Sequence, residues 1–532
     1  MNSPLYDSGE MPTSAAPPAA RPTVARAVGL DALRGLAILG MVLSGTVPWG
    51  DLALPGWMYH AQTPPPTGAY DLTITGITWV DVVFPLFLFA LGAAVPLAMM
   101  NRLAQGKLTT GQVVRGALLR WFLLIFFALY KQHLTDGGLG KVYGDWKYGI
   151  QVLGFLLLFP VFMRFPRRWP AWLALVLRGI GWIGMVGLLA WLRYPDGEGF
   201  ALRRHDIILV ILANVALSTT LVWWVLRKGV GARLCLMGLL IALHLARRNT
   251  GWAQPLTDLR FLRDLLPETW YDRVFWMFNP GYHKYLLLTI PGTIAGSIYA
   301  EWMNPTDRRL NTSIMRSRWR ELSLVRCVCL ALVCVGIVVG VIAAFSLKDW
   351  RMACTVALPL CALGLVVLLS PPSRGGVGSG VGLRGQPAVE AYLFRSLFCW
   401  GVLWLLLGLA LHPYQGGIRK DPATLSYLFT TAGLANMLLV LFGVITDALH
   451  RPGLLFLLVD NGKNPMIAYV AGSMFIIPIL LAIPVGDQPL LVWLSVHTNQ
   501  TPWTAFARGA AITLLVALFV SLLTRMKVFW RT

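Results

Sequence analysis

The sequence predicts an all-α protein, a polytopic transmembrane bundle of about 11 to 14 membrane-spanning helices. Three observations predict it. First, 56% of the 532 residues are hydrophobic and only 13% are charged. A soluble domain carries roughly 25% charged residues, so this chain must place apolar surface outside as well as inside, where a bilayer is the fitting solvent. Second, mean hydropathy is +0.64. Third, apolar segments such as 79–100, 324–345 and 510–523 recur along the whole length, each of a size to cross ~30 Å of hydrocarbon.

The elements follow in order. Residues 1–28, rich in Pro, Ala and Ser, lack the apolar core and cleavage site of a signal peptide and are expected to form a disordered cytoplasmic tail. Residues 29–532 then form one multi-helix transmembrane domain. A first helix is predicted at 30–47, then a polar loop carrying His60, then a second helix from Trp79. Further helices are expected at 118–130, 148–163 and 173–192, with Arg178 snorkelling from the last, and at 206–226. The stretch RLCLMGLLIALHLARR (233–248) is a short span. The polar segment 249–285 holds Trp252, Trp270, Tyr271, Trp276, Tyr282 and His283. These aromatics fit either an interfacial belt or a sugar-stacking surface. The Gly-rich stretch 373–387 has no Lys-Ser/Thr ending and reads as a linker. Spans near 393–411, 425–449, 465–483 and 507–523 complete the chain. There is no convincing internal repeat.

The net charge is +21. Its distribution argues against nucleic acid as a partner. Basic residues gather in alternate short loops: Arg102, Lys107, Arg115 and Arg120; Arg164, Arg167 and Arg168; Arg227, Lys228 and Arg233; Arg308 to Arg326; Arg525, Lys527 and Arg531. Cytoplasmic loops retain Lys and Arg, so both termini are expected inside and the His60 loop outside. The seven cysteines lie in or beside apolar segments without zinc or redox spacing, and no metal is expected.

On this topology His60, His133, His205, His283, His412 and His497 fall in outer loops, with His244 near the same face and only His450 inside. Histidine exchanges protons near neutrality, so the gathering suggests a polar outer chamber. Charges at helix mouths add to it. Asp31 and Arg34 are three apart on one helix face, spaced to pair. Asp81 stands at the start of the second helix, as an N-terminal anion or as a partner for a histidine. Lys420 and Asp421 precede a helix that carries Ser426 and Tyr427. Asn461, Lys463, Asn464 and Tyr469 lie on the opposite side, where a lysine with nearby amides would suit a phosphate. An enzyme and a transporter or flippase for a sugar or lipid-linked glycan both fit these residues alone.

Several motifs resemble a known family. GLDALRGLAILGMVL (29–43), YHAQ (59–62) and GITWVDVVFPLFLFALGAAVPLAM (76–99) resemble the start of the heparan-α-glucosaminide N-acetyltransferase family of membrane acyltransferases, above all its bacterial relatives. Later pieces follow in order: YGIQVLG (148–154), KDPATLSYLFTTAGL (420–434) and GKNPMIAYV (462–470). The resemblance implies transfer of an acetyl group from cytoplasmic acetyl-CoA to an amino sugar or glycan across the plasma membrane (a bacterial inner membrane). It implies His60 as general base or acetyl carrier with Asp81 beside it. It also implies substrate or donor contacts from Asp31, Arg34, Gln151, Lys420, Ser426, Tyr427, Lys463, Asn464 and Tyr469. The partners are then the bilayer, acetyl-CoA and the acceptor, with a homodimer left open. The chain departs from the family in a longer His60 loop, with Pro64 to Pro66 and Asp71 inserted. It has Ser44-Gly45 in place of an asparagine, and Ser473 or its neighbour in place of a second histidine.

Overall fold

The computed structural model describes residues 26–106, 108–166, 168–257, 275–303, 323–370 and 387–531. Residues 1–25 of the expected tail, Trp270 and Tyr271, the basic run Arg308 to Arg320, and the linker from 373 to 386 lie outside the described residues. So do Lys107 and Arg167.

The first half of the bundle comprises α1 (Val28–Ser44), α2 (Trp79–Ala104), α3 (Thr110–Thr135), α4 (Trp146–Phe162), α5 (Ala171–Trp191), α6 (Ile207–Leu226), α7 (Val230–Leu245) and α8 (Leu286–Met303). The second comprises α9 (Leu324–Ser346), α10 (Trp350–Leu369), α11 (Pro387–Leu411), α12 (Leu425–Gly443), α13 (Phe456–Lys463), α14 (Pro465–Ala471), α15 (Leu490–Thr498) and α16 (Pro502–Arg525). Ten helices among the described residues are long and apolar enough to cross a membrane, and α4 and α7 are shorter apolar helices. The only strands described form a two-residue hairpin, Pro484–Val485 with Gln488–Pro489. The protein is therefore a multi-pass helical membrane protein.

Helix ends extend past the apolar runs because caps, not hydrophobicity, set them. Thr109 accepts from the Gln112 N–H, so α3 begins well before its apolar stretch. Asp206 accepts from the N–H groups of Ile208 and Leu209 and starts α6. Arg233 was expected in a basic loop. It instead sits inside α7, buried, donating to Thr293 and Ser297 of α8 at 3.2 and 3.3 Å. Hydroxyls of a neighbouring helix let the guanidinium stay within the bundle. Arg178 leans over the Phe165 ring at 5.6 Å, as a snorkelling stem does near a helix start.

The core runs along α12, whose residues from Leu425 to Val440 are all buried. It is surrounded by α1, α2, α8, α9 and α11. Glycines allow this density. A Cβ on Gly292 or Gly296 of α8 would lie 2.3 or 2.1 Å from the Phe89 or Ala93 carbonyl of α2. Backbones in such contact gain dispersion and weak C–H···O contacts, which matters where lipid tails compete for apolar surface. At the far end of α1, Gly35 meets Leu458 and Gly462 meets Asp31 in the same way, so α13 runs antiparallel to α1. By contrast α5 and α10 turn outward, with Leu175, Ile183, Leu358 and Val366 exposed as hydrocarbon-facing side chains should be.

Candidate functional site

Two loops and one helix start meet at the His60 end of the bundle. Thr78 is extended, and its backbone N–H donates to Asp81 Oδ2 at 3.0 Å, the capping box that opens α2. The Ala61 N–H donates to the same oxygen at 3.0 Å. The other carboxylate oxygen, Oδ1, lies 2.8 Å from His60 Nδ1. The Asp81 side chain is only 2% exposed, against 38% for His60. A carboxylate so removed from water needs these partners to remain charged. The arrangement fixes the tautomer: Nδ1 carries the proton donated to Asp81, and Nε2 is left with its lone pair on the accessible ring.

Lys420 completes the group. Its Nζ lies 3.1 Å from His60 Nδ1 and 3.4 Å from Nε2. Near-equal approach to two nitrogens flanking one ring carbon puts the amine over the ring face, out of the plane of the Nε2 lone pair. Burial pushes the Lys420 amine below its ordinary value, while the carboxylates of Asp81 and Asp421 oppose the shift. The two loops are clasped by Gln62, which donates to the Asp421 carbonyl at 2.5 Å and accepts from the Asp421 N–H at 2.9 Å. Gly76 N–H adds a bond to the Ile418 carbonyl at 2.9 Å. From α12, Tyr427 donates to the Asp81 carbonyl at 2.8 Å and anchors the first turn of α2. Beside it the Ser426 hydroxyl is buried with no hydrogen-bond partner among the described residues.

Further polar groups lie within electrostatic reach of Asp421. Burial, then the hydrogen bond to Asp421, pushes the Tyr70 hydroxyl up to about 12. Burial pushes the Lys284 amine down, with Asp421 countering. His60, Lys420, Asp421, Tyr70 and Lys284 thus share one electrostatic neighbourhood.

The other histidines do not join it as a chamber. His133 is fully buried, its Nδ1 at 2.8 Å from the Leu129 carbonyl and its Nε2 accepting from the Ala201 N–H. His205 stacks on Trp276 with ring centroids 3.9 Å apart. His283 bonds the Pro280 carbonyl and the Ser218 hydroxyl. His412 accepts from the Ile418 N–H and stacks on Trp350. His497 is exposed and bonds the Trp493 carbonyl. Each is satisfied locally, so sharing one end of the bundle did not make them converge. Among the described residues no group of three or more His, Cys, Asp or Glu is placed to hold a metal ion.

The remaining predicted contacts lie elsewhere. Gln151 donates to the Leu134 carbonyl and ties α4 to α3. Tyr469 donates to Asp206 at 3.0 Å, where Lys131 also pairs at 2.7 Å. At the Asp31 end, Arg26 bonds Asp31, and Arg34 donates to the Gly462 carbonyl at 3.1 Å. Asn464 spends its amide on Thr524, the Val528 carbonyl and the Trp530 N–H. It breaks the chain between α13 and α14 instead of opening a free helix start. Lys463 pairs with Asp460 at 3.1 Å, and Arg525 approaches the same carboxylate at 3.4 Å.

Sequence reasoning missed Gln62, Tyr70, Thr78 and Lys284. Thr78 had a signal, the three-residue spacing to Asp81. Gln62 had none, since its partner lies 359 residues away. No curated protein matches the chain. A family described as a domain of unknown function (DUF5009) matches residues 26–303, just over half of the sequence, and the chain belongs to that family.

Proposed function

We propose that the protein is an integral membrane acyltransferase that moves an acetyl group from acetyl-CoA to the amine or hydroxyl of a sugar on the extracytoplasmic side. The observation that carries the reading is the His60–Asp81 pair with Lys420 over the imidazole. The resemblance of the motifs around these residues to membrane acetyltransferases supports it independently.

The chemistry follows from the atoms. The acceptor nitrogen or oxygen attacks the thioester carbonyl carbon while His60 Nε2 removes its proton. Asp81 holds the ring by Nδ1 and stabilises the imidazolium that forms, without itself becoming protonated. The carbonyl oxygen takes up negative charge, and the Lys420 ammonium stands where it can meet that charge. The tetrahedral intermediate collapses, the carbon–sulfur bond breaks, and the coenzyme thiolate leaves with the imidazolium proton. Acetyl-CoA comes from the Asp31 end, taken as cytoplasmic from the basic loops. Lys463 and Arg525 share Asp460, but their side chains are 24% and 62% exposed, and these two cations would meet its phosphates. Arg34 and Asn464 are committed to packing.

The test uses the purified protein in liposomes, acetyl-labelled coenzyme A and a panel of amino sugars and glycans. Label should pass to one acceptor in wild type and fail in His60→Ala. Wild type that neither transfers label nor releases coenzyme A with any acceptor would overturn the reading in favour of a transporter.

A further inference from the structure

A cavity of about 760 Å³ lies between the His60 loop and the last turns of α9. That size suits a small-molecule site. Trp57, Trp79 and Ala343 contribute apolar wall. Val339 of α9 and Leu347 just past its end are 61% and 71% exposed, an apolar flank suited to face hydrocarbon. Its inner wall includes Ala61 and Thr78, the two residues whose N–H groups hold Asp81. The proposed reaction centre therefore lies directly behind this wall. Its lining carries one charged residue, Lys348, at the rim where α9 ends. The two sides are pinned together, because Ser346 donates to the Ile77 carbonyl at 3.3 Å and Gly76 packs against the Phe345 carbonyl.

A free sugar would meet hydroxyls and carboxylates in a site built for it. Here an apolar trough is flanked by exposed apolar side chains, with one cation just past the end of α9 and a general base behind its inner wall. We propose that the acceptor is a lipid-phosphate-linked sugar whose hydrocarbon chain lies in this cavity, whose phosphate pairs with Lys348 and whose sugar reaches His60. This deepens the acyl-transfer reading and rests on it for the sugar end alone.

The experiment has a binding arm and a transfer arm, both on the full chain in nanodiscs. A long-chain lipid phosphate with a diazirine in its chain is photolysed and the labelled peptides are mapped. Label should concentrate in residues 56–79 and 339–348. It should fall at least fivefold in Ala343→Trp, which fills the trough from a bilayer-facing position, and severalfold in Lys348→Gln. The corresponding uncharged lipid alcohol should label more weakly than the phosphate. Label spread evenly over exposed helix faces, or unchanged in Ala343→Trp, overturns the cavity assignment. Equal labelling by alcohol and phosphate overturns the role of Lys348. In the transfer arm, Ala343→Trp should raise KM for lipid-phosphate-linked glucosamine about tenfold and leave free glucosamine unaffected. Equal effects on both acceptors overturn the lipid specificity. If wild type acetylates neither, acyl transfer fails, and the crosslinking still decides the cavity.

Discussion

The two ends of the bundle are built from the same kinds of residue and are left in opposite states. At the Asp31 end, Asp31 and Asp460 face Arg26, Arg34, Lys463, Arg525 and the Ser521 hydroxyl, and nearly every polar atom is used to join α1, α13 and α16. At the His60 end, Asp81 is as thoroughly satisfied, but the outer nitrogen of its histidine meets only the Lys420 amine, 3.4 Å away, on a partly exposed ring. A carboxylate network stabilises when all its valences are closed. It does chemistry when one is deliberately left open toward a substrate. The difference teaches that a charged residue at a helix mouth becomes a candidate for catalysis through the partner it fails to saturate, not through its own charge.

Substitutions can break this contrast. The largest functional effect is expected from His60→Ala, which should lower kcat for transfer by roughly 10²–10⁴-fold, the contribution of a positioned base. The unfolding midpoint should drop only modestly, because Asp81 loses one partner and keeps the Thr78 and Ala61 N–H bonds; a variant that unfolds would make His60 structural. Gly462→Val should do the reverse. Its Cβ would lie 1.8 Å from the Asp31 carbonyl oxygen. Overpacking there should cost about 3 kcal/mol or more, read as a lower unfolding midpoint, while the folded fraction keeps its kcat. An unchanged midpoint would mean that α1 and α13 are not closely joined.

Lys420→Met should lower kcat about 10²-fold by removing charge beside the developing oxyanion. The pH profile sharpens this. Burial holds the Lys420 amine below the ordinary value of 10.5, so the folded protein loses that charge at lower pH than the unfolded chain does. Turnover should therefore fall as pH rises through the lowered value. Stability should rise over the interval from there to 10.5, since the buried charge is relieved in the folded state first. Lys420→Arg keeps its charge and should move the alkaline limb upward. An alkaline limb that stays in place in Lys420→Arg would remove Lys420 from the chemistry. The smallest effect is expected from Lys463→Gln. One phosphate contact of about 1.5 kcal/mol corresponds to roughly a tenfold rise in KM for acetyl-CoA with kcat preserved. An unchanged KM would confine Lys463 to its pair with Asp460.

Much of the molecule was legible in order along the chain. Low charge, recurrent apolar runs and polar breaks between them establish a multi-pass helical protein, because a bilayer sorts residues by transfer energy alone. The His60 and Asp81 candidates stood out because polar groups at the mouth of an apolar helix are costly without a partner. What stayed illegible was convergence. Six histidines assigned to one side looked like a chamber, yet five are held by carbonyls, N–H groups, hydroxyls or aromatic rings nearby. Asn464 and Lys463 looked like a phosphate turn, yet the amide is consumed by the C-terminal segment. Arg233 looked like a loop cation and is a buried one.

By itself, then, the sequence determined the solvent of this protein, the class of its fold and the residues able to exchange a proton, since each depends on local composition and spacing. Only the tertiary structure decided which of those residues meet. His60 and Lys420 are 360 residues apart. Their contact depends on how α12 threads the centre of the bundle and on the clasp between Gln62 and Asp421. Such long-range contacts follow from the packing of many helices at once, through glycine-lined backbone contacts that no local spacing encodes.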